Sequence, residues 1–473
     1  MAMKIFNTLT KQKEELIPIE PGKIKIYLCG PTVYDFFHIG NARPFIIYDI
    51  FRRYLSYRGF EVKFVMNITD IDDKIIRKSA DEQVDAATVA QKYSDAFFED
   101  IKKLGIQPAD KYPRATENIP EIIALIEKLV DKGLAYVVDG DVFFSVSDFQ
   151  NYGKLSGKNI DELKSGARIE VDSRKKNPLD FALWKTAKEG EPYWDSPWGR
   201  GRPGWHIECS VMSMKCLGET FDIHAGGADL IFPHHENEIA QSEGATGKQF
   251  VRYWLHNGFL NIEGEKMSKS LGNFFTTREI LTQYPAEVLR IFFLMKHYRS
   301  PVNFSEELVQ QAQNALERII TTISNIDQAL DQSQRELSGE AALTESIDAL
   351  RDGFIAEMDD DFNTAGAMSK IFDLVKEANL ILTKTQYSEP DYLALQKIKE
   401  TIVEFDSFLG ILSYKQHQQT TITEEALIEI LLNVRSELRQ RKIFDLSDEI
   451  REKLIALGVE IHDRPDKPIW RKK

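Results

Sequence analysis

The sequence predicts a multidomain α/β protein: a doubly wound parallel-sheet core split by an insertion, then a helical bundle and a small C-terminal domain. At roughly 100 to 200 residues per domain, 473 residues are enough for two to four domains. Near the start, an apolar strand (Lys23 to Leu28), a Cys-Gly-Pro-Thr break, an amphipathic helix (Ala42 to Tyr57) and a second apolar strand (Glu61 to Met66) follow in β-α-β order. That order opens a Rossmann-like sheet. Far downstream, the strand-like Phe221-Asp-Ile-His224 and a helix expected to open near Pro233 resume the pattern, as though the sheet had been interrupted.

The elements divide the chain as follows. Residues 1–110 form the first half of the core and 205–250 the second. Residues 111–204 form the insertion, with a helix near Ile119 to Lys132, a hairpin over Tyr136 to Val146, and a loose stretch rich in Pro, Gly and Trp. Residues 251–305 carry a basic loop. Over 306–412 apolar residues recur at helical spacing (Leu308, Ala312, Leu316, Ile320), which predicts a bundle. The Gln- and Thr-rich stretch 413–423 reads as a linker, and 424–473 as a terminal domain.

Composition excludes several classes. Hydrophobic residues make up 42% and charged residues 28%, so the chain is neither disordered nor collagenous. No apolar run reaches the roughly 18 residues that span a bilayer, and the opening MAMKIFNTLTKQ lacks the apolar centre of a secretory leader. A cytoplasmic protein with no membrane partner is expected. Three cysteines cannot form a disulfide framework, leaving metal binding, catalysis or burial open for Cys29, Cys209 and Cys216. A net charge of −14 disfavours a uniformly basic nucleic-acid surface. From Arg435 onward, however, 11 basic residues face 8 acidic ones.

Two motifs suit phosphate. His38-Ile-Gly-Asn41 lies between the first strand and its helix, where glycine permits close backbone approach and the helix start offers free N–H groups. A lone histidine there is more often structural, so it needs a partner. Lys266-Met-Ser-Lys-Ser270, 228 residues on, supplies two ammonium groups and two hydroxyls between Gly264 and Gly272. Gly226-Gly-Ala-Asp229 follows a strand, where backbone can approach a nucleotide and Asp229 can accept from ribose hydroxyls.

A metal site is legible separately. His234 and Glu238, four apart, would share one helix face. Cys29 ends the first strand and Cys209 precedes the resumed sheet, so both can reach the carboxyl-edge crevice. Such a mixed nitrogen, sulfur and oxygen set suits zinc. In the tail, Arg435, Arg439, Arg441 and Lys442 fall on one predicted helix, followed by Phe444 and, near the end, Trp470. Arginines with aromatics suit unpaired RNA bases, although a charge run is usually a solvated face.

The signatures at 38–41 and 266–270 resemble those of class I aminoacyl-tRNA synthetases. Phe6-Asn-Thr-Leu, Cys29-Gly-Pro-Thr-Val-Tyr34, Asn67-Ile-Thr-Asp-Ile-Asp-Asp73, Gly204-Trp-His-Ile-Glu-Cys209 and Phe232-Pro-His-His-Glu-Asn-Glu238 narrow this to the cysteinyl-tRNA synthetase family. The resemblance implies activation of L-cysteine with ATP and transfer to the 3′-terminal adenosine of tRNA(Cys). It implies one zinc per chain on Cys29, Cys209, His234 and Glu238, and magnesium accompanying ATP. Catalytic roles fall to His38, Lys266 and Lys269; ATP contacts to Gly40, Asn41, Gly226, Gly227, Asp229 and Lys269. The cysteine pocket takes Thr69, Trp205 and His224, and anticodon reading takes Arg439, Phe444, Asp448 and Asp463. Residues 251–305 become the tRNA stem-contact region, and a monomer is expected. One departure is Asn41, where the family motif has its second histidine. Two rival readings remain: a cysteine-activating ligase acting on a small amine, which the basic tail disfavours, and a zinc-dependent hydrolase, which leaves Lys266 to Ser270 unexplained.

Overall fold

The computed structural model describes residues 2–157, 172–262, 265–266, 275–331, 341, 343–413, 424–462 and 469–472. The chain divides into two compact units, Met1–Leu412 and Ser413–Lys473.

The first unit is built on four parallel strands in the order Val251–Asn257, Phe221–Gly227, Lys23–Leu28 and Glu61–Met66. Ile24, Ile26, Tyr27 and Leu28 are all buried, as expected of a parallel strand covered on both faces. Leu28 pairs with Ala225, so strands from both sides of the insertion meet in one sheet. The sheet also runs past residue 250, where the sequence reading ends it, because Val251–Asn257 is itself a largely buried strand. Phe221–Gly227 is longer than its apolar start suggests and includes both glycines expected to lie beyond it.

The first helix, Ile39–Tyr57, starts before Ala42 because His38 caps it, its Nδ1 accepting from the Asn41 N–H at 3.3 Å. No regular helix opens at Pro233. A π-turn over Ile231–His235 leads into the helix Glu236–Thr246.

In the insertion, helix Ile119–Asp131 and hairpin Ala135–Val138/Asp141–Phe144 are joined by two further strands, Phe181–Thr186 and Gly201–Pro203, in an antiparallel sheet. These two come from the stretch read as loose, where Leu183 and Trp184 are fully buried. The insertion shares its core with the main fold: Ile126, Leu129 and Trp184 cluster with Ile207 and Val211 of helix Trp205–Leu217.

Helices Glu306–Asp331, Thr344–Asp359, Thr364–Leu382 and Glu389–Leu409 form the bundle. The buried stripe of the first runs through Val309, Ala312, Leu316, Ile319 and Ile323, so Leu308 and Ile320 flank it instead of filling it. Asp361 ties this region to the core by accepting from the Phe6 N–H at 2.7 Å and the Tyr298 hydroxyl at 2.9 Å. Among the described residues, no helix is long and apolar enough to cross a membrane.

The second unit pairs helices Glu424–Gln440 and Phe444–Ala456 with a hairpin, Val459–His462/Ile469–Lys472, over a core of Ile428, Leu432, Leu454, Val459 and Ile461. Two expectations change here. The basic helix ends before Arg441 and Lys442, with Arg435 buried (1% exposed), and Trp470 packs against the small core. Arg435 and Trp470 therefore belong to the fold of this unit. Residues 414–423, read as linker, lie outside the described residues.

Candidate active site

Two loops leave neighbouring parallel strands at their carboxyl ends, the crevice where such sheets bind ligands. The Gly30 N–H donates to Asn67 Oδ1 at 2.8 Å, and a Cβ on Gly30 would lie 1.8 Å from the Asn67 carbonyl oxygen. Only glycine allows this approach, which sets Cys29 beside the Asn67-to-Asp73 loop. A cavity of about 360 Å³ opens there, lined among others by Cys29, His38, Gly40, Asn41, Trp205, Gly227 and Asp229.

Behind it, ligand atoms of Cys29, Cys209, His234 and Glu238 lie within 4.8 Å of one another, all buried. Helix Trp205–Leu217 brings Cys209, the π-turn brings His234, and the following helix brings Glu238. His234 Nε2 is 3.1 Å from Glu238 Oε1. A hydrogen bond from Cys29 draws the Cys209 thiol down to about 6, whereas burial pushes Cys29 well up, so the pair carries its negative charge on Cys209. Burial opposes charge on His234, but Cys209 and Glu238 outweigh it and raise the imidazole to about 10. Burial likewise opposes ionisation of Glu238, yet His224 and His234 hold it at about 2. Buried anions balanced by a proton on His234 fit a divalent cation, which would displace protons on binding. Two thiols, an imidazole and a carboxylate are the donor types that zinc takes.

The remaining expected residues separate. Trp205 is 39% exposed, with its ring centroid 4.4 Å from that of His234. Thr69 and His224 do not line the cavity. Thr69 is buried and its hydroxyl accepts from the Asn67 amide, while His224, on a strand covered on both faces, braces Glu238 Oε2 at 2.9 Å. Gly226 is buried within its strand. Lys266 ends the short hairpin Leu260–Ile262/Glu265–Lys266; its side chain, and Lys269 and Ser270 altogether, lie outside the described residues. In the second unit Arg439, Phe444 and Asp448 are exposed, and Asp463 lies outside the described residues. Cys216, for which the sequence left metal binding, catalysis and burial open, is half-buried and apart from the cluster.

Sequence reasoning missed three histidines. His235 Nε2 lies 3.3 Å from Cys29 Sγ, and Cys29, His224, His235 and Glu238 form a second possible ligand set. His235 Nδ1 meets His256 Nε2 at 2.8 Å, and His206 meets His234 at 2.9 Å. The doublet His234-His235 was the available signal.

The chain has relatives among known proteins in both sequence and fold. Residues 15–314 match the family model of the class I (C) tRNA synthetase catalytic domain, and residues 353–413 match the DALR domain. The cysteine–tRNA ligase of Anoxybacillus flavithermus is 51% identical over 472 residues, covering 100% of both chains. That of Halalkalibacterium halodurans is 52% identical over 472 residues, again covering 100% of both. Among solved structures, Mycobacterium tuberculosis methionyl-tRNA synthetase bound to methionyl-adenylate aligns with a TM-score of 0.63 at 16% identity, over 82% of this chain and 92% of that one. This last likeness concerns the fold alone.

Proposed function

The chain belongs to the cysteine–tRNA ligase family of class I aminoacyl-tRNA synthetases, and we propose how its residues divide the family's reaction. The enzyme joins L-cysteine to tRNA in two steps. The cysteine carboxylate attacks the α-phosphate of ATP, forming cysteinyl-adenylate as pyrophosphate leaves; a hydroxyl of the terminal adenosine of tRNA(Cys) then attacks the carbonyl as AMP leaves. One observation supports the reading above all: Cys29 of the metal-ligand cluster and His38, Gly40 and Asn41 of the first signature line one cavity.

ATP enters as its magnesium complex. Gly40 and Asn41 at the helix start, with Gly226 and Gly227 on the strand opposite, offer backbone to the nucleotide. Asp229 accepts from the ribose. His38 contacts the phosphates, and Lys266 and Lys269 meet the charge that develops as pyrophosphate separates. Cys29, Cys209, His234 and Glu238 would hold one zinc, which would supply a soft acceptor for the substrate thiolate and leave serine's hydroxyl poorly matched. Trp205 closes the amino-acid side of the cavity, while Thr69 and His224 act on the cysteine pocket through their hydrogen bonds to Asn67 and Glu238.

Residues 111–204 serve as the connective domain, 251–305 contact the tRNA stem, and 424–473 read the anticodon through Arg439, Phe444, Asp448 and Asp463. The enzyme acts as a cytoplasmic monomer. Cysteine-dependent ATP–pyrophosphate exchange, then charging of a tRNA transcript, tests the whole reading. Exchange without charging would favour the small-amine ligase, and absence of both would refute activation.

Two variants probe the phosphate contacts. Asn41 is exposed at the cavity, so a larger ring fits there. Asn41→His is expected to leave the KM for cysteine unchanged and to alter activation by at most about tenfold, near 1.4 kcal/mol. Lys269→Ala should slow adenylate formation in single turnovers far more than it weakens binding of ATP or cysteine, because its charge acts mainly in the transition state.

A further inference from the structure

We propose that Arg43 is a positioning residue for cysteine activation, pinning the helix that carries His38, Gly40 and Asn41 to the hairpin that leads to Lys266. This rests on the reading that those two motifs handle the ATP phosphates. Arg43 opens the second turn of helix Ile39–Tyr57, two residues beyond Asn41, and is 0% exposed. Its Nη1 donates to the carbonyls of Gly258 (2.6 Å) and Phe259 (2.9 Å), and its Nη2 to those of Tyr298 (3.0 Å) and Ser300 (2.6 Å). The first pair immediately precedes Leu260–Ile262, the strand that turns back to Glu265–Lys266. The second pair precedes Val302–Phe304, which pairs in parallel with that same strand. One guanidinium therefore holds both roots of the small sheet that ends at the second motif.

Two further observations make this more than packing. Among the described residues no carboxylate pairs with Arg43, and although burial lowers its pKa to about 10, it stays charged at neutral pH. A buried cation held only by carbonyls, with its Nε left without a partner, is costly, and an apolar side chain could fill the space with less penalty. What a guanidinium alone provides is a rigid fork reaching four acceptors on two segments at once. The second observation is at Gly258, where a Cβ would lie 2.5 Å from the Ser300 carbonyl carbon and oxygen and 2.6 Å from the Arg299 oxygen. The two gripped segments thus meet backbone to backbone, with no slack between them. Gly258, Phe259 and Leu260 line the same cavity as Gly40 and Asn41, so a shift of these segments changes the geometry around the triphosphate.

The test compares Arg43→Lys and Gly258→Ala with wild type for zinc content, thermal stability and cysteine-dependent pyrophosphate exchange. Lysine keeps the charge and can satisfy one segment, but it cannot span both. Arg43→Lys should retain zinc and the wild-type KM for cysteine while kcat for exchange falls about a hundredfold, the cost of a misplacement near 1 Å. Gly258→Ala breaks the pin from the other side and should give the same split. Since both act on one geometry, their combination should lose much less than the product of the single losses. A folded Arg43→Lys enzyme with unchanged kcat would overturn the proposal, as would parallel losses of zinc, cysteine affinity and kcat. If that variant does not fold, Gly258→Ala decides by the same criteria, and failure of both to fold would mean a purely structural role and overturn it. Absence of exchange in wild type would instead refute the activation reading, and the positioning role with it.

Discussion

Cys209→Ser is expected to abolish stoichiometric zinc and to lower kcat/KM for cysteine by about a thousandfold, roughly 4 kcal/mol. Serine is nearly isosteric, so the helix Trp205–Leu217 should stay packed against the core through Ile207 and Val211. The chemistry changes, because a hydroxyl does not ionise near neutral pH and is a hard, weak ligand for zinc. In the native cluster, hydrogen bonds donated by Cys29 and by His234 favour the Cys209 thiolate. Removing that anion also removes the partner that helps hold a proton on His234. Cys216→Ser provides the control: Cys216 is half-buried and outside both candidate ligand sets, so zinc and activity should be unchanged. Metal analysis after exhaustive dialysis, with exchange kinetics on the same samples, gives the answer. Full zinc and full cysteine affinity in Cys209→Ser would show that the cluster is not the cysteine-recognition site.

Parts of this arrangement were legible in the sequence for identifiable physical reasons. The strands Lys23–Leu28 and Glu61–Met66 agree with their predicted bounds because each is a short apolar run, buried over its last three residues and bounded by polar or turn residues. Cys29, Cys209, His234 and Glu238 stood out as ligand types, although only His234 and Glu238 are near in sequence. Other features depend on what folds against what. His256 lies in a buried strand, and its link to His235 exists only because Val251–Asn257 joins the sheet. Composition could not separate Arg435, which is buried, from Arg439, which is exposed on the same helix. Along helix Glu306–Asp331 periodicity found Ala312 and Leu316 but took Leu308 and Ile320 for their buried neighbours Val309 and Ile319, since adjacent positions there are both apolar. The strand Phe181–Thr186 was hidden because its apolar run is short and set among charged residues and turns.

Ending the chain after Ser413 is expected to leave cysteine activation intact while tRNA charging collapses. The two compact units divide between Leu412 and Ser413, and the second has its own small core of Ile428, Leu432, Leu454, Val459 and Ile461. The cut also spares the final turn of the bundle, where Asp406 Oδ1 accepts from the Leu412 N–H at 2.9 Å and Arg290 Nε donates to the Leu409 carbonyl at 2.8 Å. Cys209, the candidate zinc ligands around it, both signature motifs and the Arg43 contacts all lie in the retained part. The truncated enzyme should therefore fold, bind zinc and exchange pyrophosphate as wild type does. What it lacks is the exposed set Arg439, Phe444 and Asp448 together with Asp463, the groups proposed to read unpaired bases. Stacking and base-edge contacts are worth roughly 1 to 3 kcal/mol per base, so losing several should lower kcat/KM for tRNA by at least about a hundredfold. Arg439→Ala in the full chain should reproduce part of the defect, about tenfold or ~1.4 kcal/mol, with exchange unaffected. Phe444, 52% exposed, provides a finer probe: replacing it with tryptophan enlarges the stacking surface and should strengthen tRNA binding without touching activation. If the shortened chain folds, activates cysteine and charges tRNA as well as the whole, the second unit is no anticodon reader, and the roles proposed for Arg439, Phe444, Asp448 and Asp463 fall together.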